Sequence, residues 1–331
     1  MQFAQLKRRE FITLLGGAAA AWPLAARPQE AGRTHRLGFM VPLSPDAPSI
    51  VAFFDELRLA GFIEGQNLFV VPGGFDVDVR DVRLAERAAA LVKAAPDVIV
   101  SGADLGTRAL QQATRTIPLI GMTEDMVAAG FVKSLARPGG NITGISILSP
   151  ELDGKRQDIL MEAVPGARRI AALADSRITP MRHLETLQEA ARTHNVELSV
   201  YGVTKVEEIA LAIDKAKAAG AEGLNVLAGA VFPPPDIRMV IDRVTALRLP
   251  AIYQWPDYAD QGGLAGYGPR LTEIFRQRAR MVVKVLRGAK PADLPVEQPT
   301  TFELVINLQA AKAIGHEVPA GLVLRADKEI E

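Results

Sequence analysis

Short apolar runs alternate along the chain with longer segments in which apolar residues recur at helical spacing. The run at 36–41 is continuously apolar apart from its first residue and Gly38, and in the segment after it Ile50, Phe54 and Leu57 recur every three or four positions. Continuously apolar runs of this length are typical of strands buried on both faces of a parallel sheet. The pattern therefore predicts an α/β fold in which strands and helices alternate.

The alternation occurs twice, which predicts two doubly wound parallel-sheet lobes. The predicted strands are 36–41, 68–71, 96–100 and 117–120 in the first set, and 169–174, 196–200, 223–227 and 251–253 in the second. Helices are predicted between them. One of these, at 80–94, is expected to bury a stripe made of Val82, Ala85, Ala89 and Val92.

The segment 121–146 separates the two sets. It begins with a polar turn at 123–125, and Met126, Phe131 and Leu135 then predict a short helix. Arg-Pro-Gly-Gly at 137–140 ends that helix, because proline lacks a backbone donor and glycine tolerates positive φ. We expect this segment to contain a ligand-binding turn and the first crossing between the lobes.

The C-terminal third contains too few elements for a third domain. A glycine-rich strand at 262–268, a helix at 269–286 and a strand at 302–307 are predicted there. We expect the chain to return to lobe 1 after Tyr253 and to cross again near Phe302. The predicted lobes are then 33–143 with 255–300, and 144–254 with 301–331.

Charge and composition exclude several classes of protein. The 331 residues carry 38 basic and 38 acidic side chains, so no excess of positive charge indicates a nucleic-acid partner. The chain has no cysteine, which excludes disulfides and thiol chemistry. The four histidines lack metal-ligand spacing, and His183 and His194 are interpreted as residues on a helix surface. The triplet at 144–146 lacks the second glycine of a nucleophile elbow, so no enzyme, metal or cofactor is expected.

The N-terminus predicts export. Arg8-Arg9 precede an apolar run of about half the length of a membrane-spanning helix, and small residues follow. This order is similar to a twin-arginine signal peptide, expected to occupy residues 1–26 and to be removed after Ala26. The mature protein is then expected in the periplasm. The alternative is a buried N-terminal helix.

Candidate ligand contacts come from the loops after the strands, because ligands of open α/β sheets bind beyond the carboxyl ends of the strands. Hydroxyl groups and helix-start amides suit a ligand carboxylate, Asp125 suits an ammonium group, and Trp255 suits stacking. The candidates are Ser44, Ser101, Gly102, Thr123 and Asp125 in the first lobe, and Asp175, Gly229, Phe232, Gln254, Trp255 and Tyr267 around the second. Simpler roles remain open: a helix cap for Asp125, turns for Ser44 and Ser101, and hinge packing for Trp255.

Four longer segments carry a resemblance to a known family. They are 130–146, 262–269, 288–299 and 302–315, together with Asp125 and the tail at 325–330. They resemble the ABC-transporter substrate-binding protein family that includes tryptophan- and tyrosine-binding members. The resemblance implies a type I periplasmic-binding-protein fold, with two lobes, three hinge crossings and a ligand in the cleft. Two positions depart from the family pattern: Met126 stands where proline is common, and Gly266 where serine is usual.

These observations together favour a periplasmic solute receptor of an ABC importer. The expected partners are a small-molecule ligand, with an amino acid or aromatic acid favoured, and a membrane permease. A monomer is expected. The alternatives are a periplasmic sensor or chemoreceptor component and, less favoured, an exported α/β enzyme.

Overall fold

Two sheets, each covered by helices, make up the structure. The computed structural model describes residues 33–147, 149–179, 181–229 and 237–331. The predicted signal peptide lies outside these residues. Residues Thr34–Glu331 form one unit that contains both sheets.

The first sheet has five parallel strands in the order β2-β1-β3-β4-β5. These strands are β1 (His35–Met40), β2 (Leu68–Val70), β3 (Val98–Ser101), β4 (Leu119–Thr123) and β5 (Ile142–Ser146). The helices between them are α1 (Pro48–Leu59), α2 (Leu84–Lys93) and α3 (Ala103–Ala113). The central strand β3 is fully buried, as the continuously apolar runs predict, whereas Phe69 in the edge strand β2 is 42% exposed.

The second sheet has seven strands in the order β12-β11-β10-β9-β8-β6-β7. Its strands are β6 (Arg169–Asp175), β7 (Glu197–Val203), β8 (Gly223–Val226), β9 (Ala251–Tyr253), β10 (Ala265–Gly268), β11 (Glu303–Asn307) and β12 (Lys328–Ile330). Its helices are α4 (Ser149–Ala163), α5 (Met181–Thr193), α6 (Ile209–Ala218), α7 (Ile237–Ala246), α8 (Pro256–Asp260), α10 (Leu308–Ile314) and α11 (Ala320–Val323). All neighbouring strands run parallel except β10 and β11.

The chain crosses back to the first sheet later than predicted. Residues 255–268 were expected in lobe 1, but β10 pairs with β9 and β11 in the second sheet. The chain leaves that sheet after Gly268, and helix α9 (Leu271–Leu286) packs on α1 of the first lobe. The glycine-rich composition of β10 has a steric reason, because a side chain at Gly268 would approach the Gln254 carbonyl oxygen to 2.3 Å. The glycines of β10 therefore allow this strand to pack closely within the second sheet, and the segment does not connect the lobes.

The predicted helix at 126–135 is also wrong. The segment forms a single turn, in which Ala129 N–H donates to the Asp125 carbonyl, and Gly130 ends it at a φ of 71°. Phe131 and Val132 are nevertheless buried against the first sheet. Apolar residues at helical spacing were thus a correct indication of burial but not of a helix.

Helix α2 begins later than predicted, and it buries a different stripe. Asp81 holds the backbone N–H of Arg83 at 2.9 Å, and the helix starts at Leu84. Its buried face is Leu84, Ala88 and Leu91, whereas Val82 of the predicted stripe is 97% exposed. The aspartate turn therefore sets where the helix begins, and the spacing of Leu84, Ala88 and Leu91 forms its buried face.

Candidate functional site

A cavity of about 80 Å³ lies where the carboxyl ends of the strands of the two sheets face each other. Its lining residues from the first lobe and α9 are Val41, Pro42, Leu43, Val79, Gly102, Ala103, Asp104, Met122, Thr123, Glu124, Ile147, Leu271 and Phe275. Those from the second lobe are Ile178, Gly229, Gln254, Trp255 and Tyr258. Both lobes therefore contribute to one site, at the place where open α/β sheets bind ligands.

Two of the three aromatic residues of the lining come from the segment after β9 in the second lobe, and the third, Phe275, comes from α9. Trp255 lies two residues after β9 and is only 5% exposed, and Tyr258 is fully buried. A side chain at Gly266 would place its Cβ 2.5 Å from the Trp255 carbonyl oxygen. The family's usual serine has no room there, so Gly266 allows β10 to pack against the backbone that carries Trp255.

Two acidic side chains, Glu124 and Asp104, line the polar end of the cavity. Burial, together with the negative charges of Asp104 and Asp153, raises the pKa of Glu124 to about 8. Burial likewise raises the pKa of Asp104 to about 6, against the lowering effects of Arg108 and of the Glu124 backbone N–H, which donates to the Asp104 carboxylate. The two carboxyl groups thus lie close together in a poorly solvated place.

Two oxygen atoms of this group are buried without a hydrogen-bond partner. They are the hydroxyl oxygen of Thr123 and Oε2 of Glu124. Thr123 is 2% exposed, and both residues line the cavity. Buried polar atoms are normally paired, so these two are positioned to bind a ligand.

Five of the candidate residues from the sequence line the cavity. They are Gly102, Thr123, Gly229, Gln254 and Trp255. Each ends a buried strand or lies within three residues after one, which is the position that the topological argument selects.

Three candidates of the first lobe have local roles instead. Ser44 forms a turn in which its carbonyl accepts the Ala47 N–H. The Ser101 hydroxyl points into the lobe and lies 2.8 Å from the Thr107 hydroxyl. Asp125 Oδ1 accepts the N–H groups of two residues in the following turn, at 2.9 and 3.0 Å. None of the three side chains is part of the described cavity lining.

The remaining candidates lie around the second lobe. Asp175 is buried and pairs with Arg177 at 3.1 Å. Tyr267 packs on Phe302 with ring centroids 6.4 Å apart. Neither is part of the cavity lining, and Phe232 lies outside the described residues.

Sequence reasoning missed Asp104 and Glu124. Asp104 stands three positions after β3, and Glu124 stands between the two candidates Thr123 and Asp125. Both are acidic residues immediately beyond a strand, so examining every ionisable residue in these loops would have found them.

His183 is buried, which corrects its interpretation as a helix-surface residue. Its Nε2 lies 2.9 Å from Asp153, and the same carboxylate pairs with Arg156. Arg156 also donates to the Tyr267 carbonyl at 2.9 Å. This network joins α4 and α5 to the end of β10 beside the cleft.

Comparison with known proteins identifies the family. The profile of the ABC transporter substrate binding proteins matches residues 78–330. This chain belongs to that family. A tyrosine-binding protein of Clostridioides difficile (strain R20291) is 25% identical over 274 residues, which cover 79% of this chain and 75% of the relative. Members of the family are substrate-binding proteins and not enzymes.

Solved structures show the same fold. A conserved domain protein from Vibrio cholerae matches with a TM-score of 0.78 and 25% identity, over 90% of this chain and 99% of that one. An ABC domain from Streptococcus pneumoniae in complex with L-Trp matches with a TM-score of 0.77 and 23% identity, over 90% of this chain and 100% of that one. The two-lobed fold is that of type I periplasmic binding proteins. In the part of this family member that the structure describes, no helix is long and apolar enough to cross a membrane.

Proposed function

We propose that this protein is the periplasmic receptor of an ABC importer and binds a small organic ligand, with an amino acid favoured, in the cleft between its lobes. The ligand contacts both lobes only when the cleft is closed, so binding shifts the protein towards the closed form. The protein acts as a monomer, and a membrane permease recognises its closed, liganded form.

The cavity between the lobes is the observation that carries this proposal. Its acidic and hydroxyl groups come from the ends of β3 and β4, and Trp255 and Tyr258 come from the segment after β9. A ligand held between these two groups bridges parts of the chain that belong to different sheets. The tyrosine-binding relative and the L-Trp complex support an amino acid over other small molecules.

The experiment is to identify what the exported protein binds. We expect native mass spectrometry of protein purified from the periplasm to reveal a small molecule that is released chemically unchanged. The same molecule, added to stripped protein, is expected to bind saturably and to alter the emission of Trp255. Turnover of the molecule, or a protein found only in the cytoplasm with its N-terminus intact, would contradict the proposal.

Trp255 gives this experiment a built-in probe of the site. The chain has two tryptophans, and the other, Trp22, lies in the predicted signal peptide. Emission from the processed protein therefore reports on Trp255 alone. Saturable binding without an emission change would remove Trp255 from the site while leaving the receptor function intact.

A further inference from the structure

The polar end of the cavity presents oxygen atoms that accept hydrogen bonds, and they are grouped on one loop. Thr123 and Glu124 each have a buried oxygen without a partner, and the N–H of Glu124 already donates to Asp104. An ionised carboxylate accepts hydrogen bonds and cannot donate them. A positively charged donor completes this arrangement, because it stabilises the ionised form of Glu124, which offers only acceptors.

The cationic side chains near these carboxylates are already engaged elsewhere. Arg108 donates to the Ala129 carbonyl at 2.6 Å and lies over the Phe131 ring. Arg156 is held by Asp153, and Arg177 is held by Asp175. The described lining of the cavity contains no lysine, arginine or histidine. Arg108 and Arg156 favour the charged forms of Asp104 and Glu124 only in part, and each is held by other groups, so a bound cation supplies the direct partner that stabilises the ionised carboxylates.

The rest of the cavity is apolar. Leu43, Trp255 and Phe275 belong to its lining, and Trp255 and Phe275 are almost completely buried. Among the described residues no group of three or more side chains is suited to holding a metal ion. An organic cation fits this division into a charged end and an aromatic end better than an inorganic one.

We propose that the cleft selects an organic cation, namely a ligand whose protonated nitrogen binds between Glu124 and Asp104 and whose apolar part lies against Trp255. This inference rests on the proposed function, since it names the ligand class of the same cavity. Primary amines, amidines and the ammonium group of amino acids meet the requirement. Aromatic acids without a basic nitrogen do not, because their carboxylate would face two carboxyl groups.

Binding of such a cation is expected to depend on pH. Without ligand the pKa of Glu124 is about 8, and a cation beside the carboxylate lowers it. Binding below pH 8 therefore releases a proton, and affinity rises between pH 6 and pH 8 and then levels off. The charged or titratable groups that face Glu124 and Asp104 are Arg108 on α3, Asp125 on the same loop, Asp153 with its partners Arg156 and His183, and Asp175 with Arg177.

The test uses matched probes at pH 8. Calorimetry on the processed protein compares three carbon skeletons (4-hydroxyphenyl, indole and branched alkyl), each as the amine, the amino acid and the carboxylic acid. We expect amines and amino acids to bind about 10–100-fold more tightly than the matching acids, the value of a charge-assisted hydrogen bond. An acid that binds as tightly as its amine, or a neutral sugar recovered from the periplasm, overturns the inference but leaves the receptor function standing. A protein that binds no probe and carries no molecule from the periplasm contradicts both.

Two variants assign the effect to the site. Glu124→Gln keeps the shape of the side chain and is expected to weaken amine binding about 10–100-fold and to abolish the rise in affinity from pH 6 to pH 8. Asp104→Asn is the second variant, should the first not fold. Glu86→Gln, on the exposed face of α2, removes the same charge from the same lobe and is expected to leave both properties unchanged. Unchanged amine affinity in the folded Glu124 or Asp104 variant, or an equal loss in Glu86→Gln, overturns the inference.

Discussion

Ionised Glu124 is expected to favour binding of a cation but to destabilise the ligand-free protein. Its pKa is raised to about 8 by burial and by neighbouring carboxyl groups, whereas an exposed glutamate has the ordinary value of 4.5. The folded protein therefore holds a proton that the unfolded chain releases. As pH rises from 4.5 to 8, this difference increasingly favours the unfolded chain, and below 4.5 it has no effect.

Glu124→Gln is accordingly expected to stabilise the ligand-free protein at high pH. We expect the free energy of unfolding to rise by roughly 2–4 kcal/mol at pH 8 and to stay nearly unchanged at pH 4. Urea unfolding followed by circular dichroism at the two pH values measures this. A variant that is equally or less stable than the wild type at pH 8 would show that the carboxylate is better stabilised than its surroundings indicate.

Asp125, the neighbour of Glu124, has the opposite role in stability. Its side chain accepts the N–H groups of Val127 and Ala128 and so caps the turn that follows β4. Asp125→Ala is expected to lower the free energy of unfolding by about 1 kcal/mol, while Asp125→Asn keeps the acceptor and costs a few tenths at most. Thermal unfolding of the two variants side by side checks this, and equal losses would show that charge, not the cap, matters.

At the scale of elements, a glycine pair decides how closely β4 and β5 pack. Gly144 on β5 has a φ of 149° and lies opposite Gly121 on β4. A Cβ at Gly144 would lie 2.0 Å from the Gly121 carbonyl oxygen. Because the clash is with backbone, no side-chain rotation relieves it.

Gly144→Ala is therefore expected to destabilise the protein by about 2–4 kcal/mol and to disturb the nearby cavity. Gly140→Ala is the matched control, since nothing lies within 4 Å of a Cβ there and its φ is not positive. Chemical unfolding of both variants tests the difference. A Gly144→Ala protein as stable as the control would mean that the two strands separate at little cost.

Patterns along the chain predicted the elements better than their placement. Alternating apolar runs correctly predicted β1 to β4 and β6 to β9, because burial on both faces favours continuous apolar sequence, but they did not predict the edge strand β12. The prediction of a helix at 126–135 failed, because the segment forms one turn that ends at Gly130 and still buries its apolar residues. The patterns also misplaced β10, since its glycines reflect contact with Gln254 and Trp255, which are close to it only after folding. Asp104 and Glu124 could have been found from their positions after strands, but their shared burial is apparent only in the folded chain.

At the scale of the whole molecule, the acidic residues of the cleft belong to both lobes. Asp104 and Glu124 lie in the first lobe, while Asp153 and Asp175 lie in the second and raise the pKa of Glu124 across the cleft. Moving the lobes apart would separate these charges and admit water, so the open form has the lower carboxyl pKa. An open form that releases protons more readily is favoured as pH rises.

The ligand-free protein is therefore expected to open between pH 6 and pH 9. Small-angle X-ray scattering of the processed protein should show a radius of gyration that increases over this range, and high salt should reduce the increase by screening the repulsion. Glu124→Gln is expected to remove most of it, whereas the surface variant Glu86→Gln is expected to keep it. A bound amine neutralises the same carboxylates, so its addition at pH 8 should return the radius of gyration to the value at pH 6. A radius that is independent of pH in the ligand-free wild type would show that the balance between open and closed forms does not depend on these carboxylates.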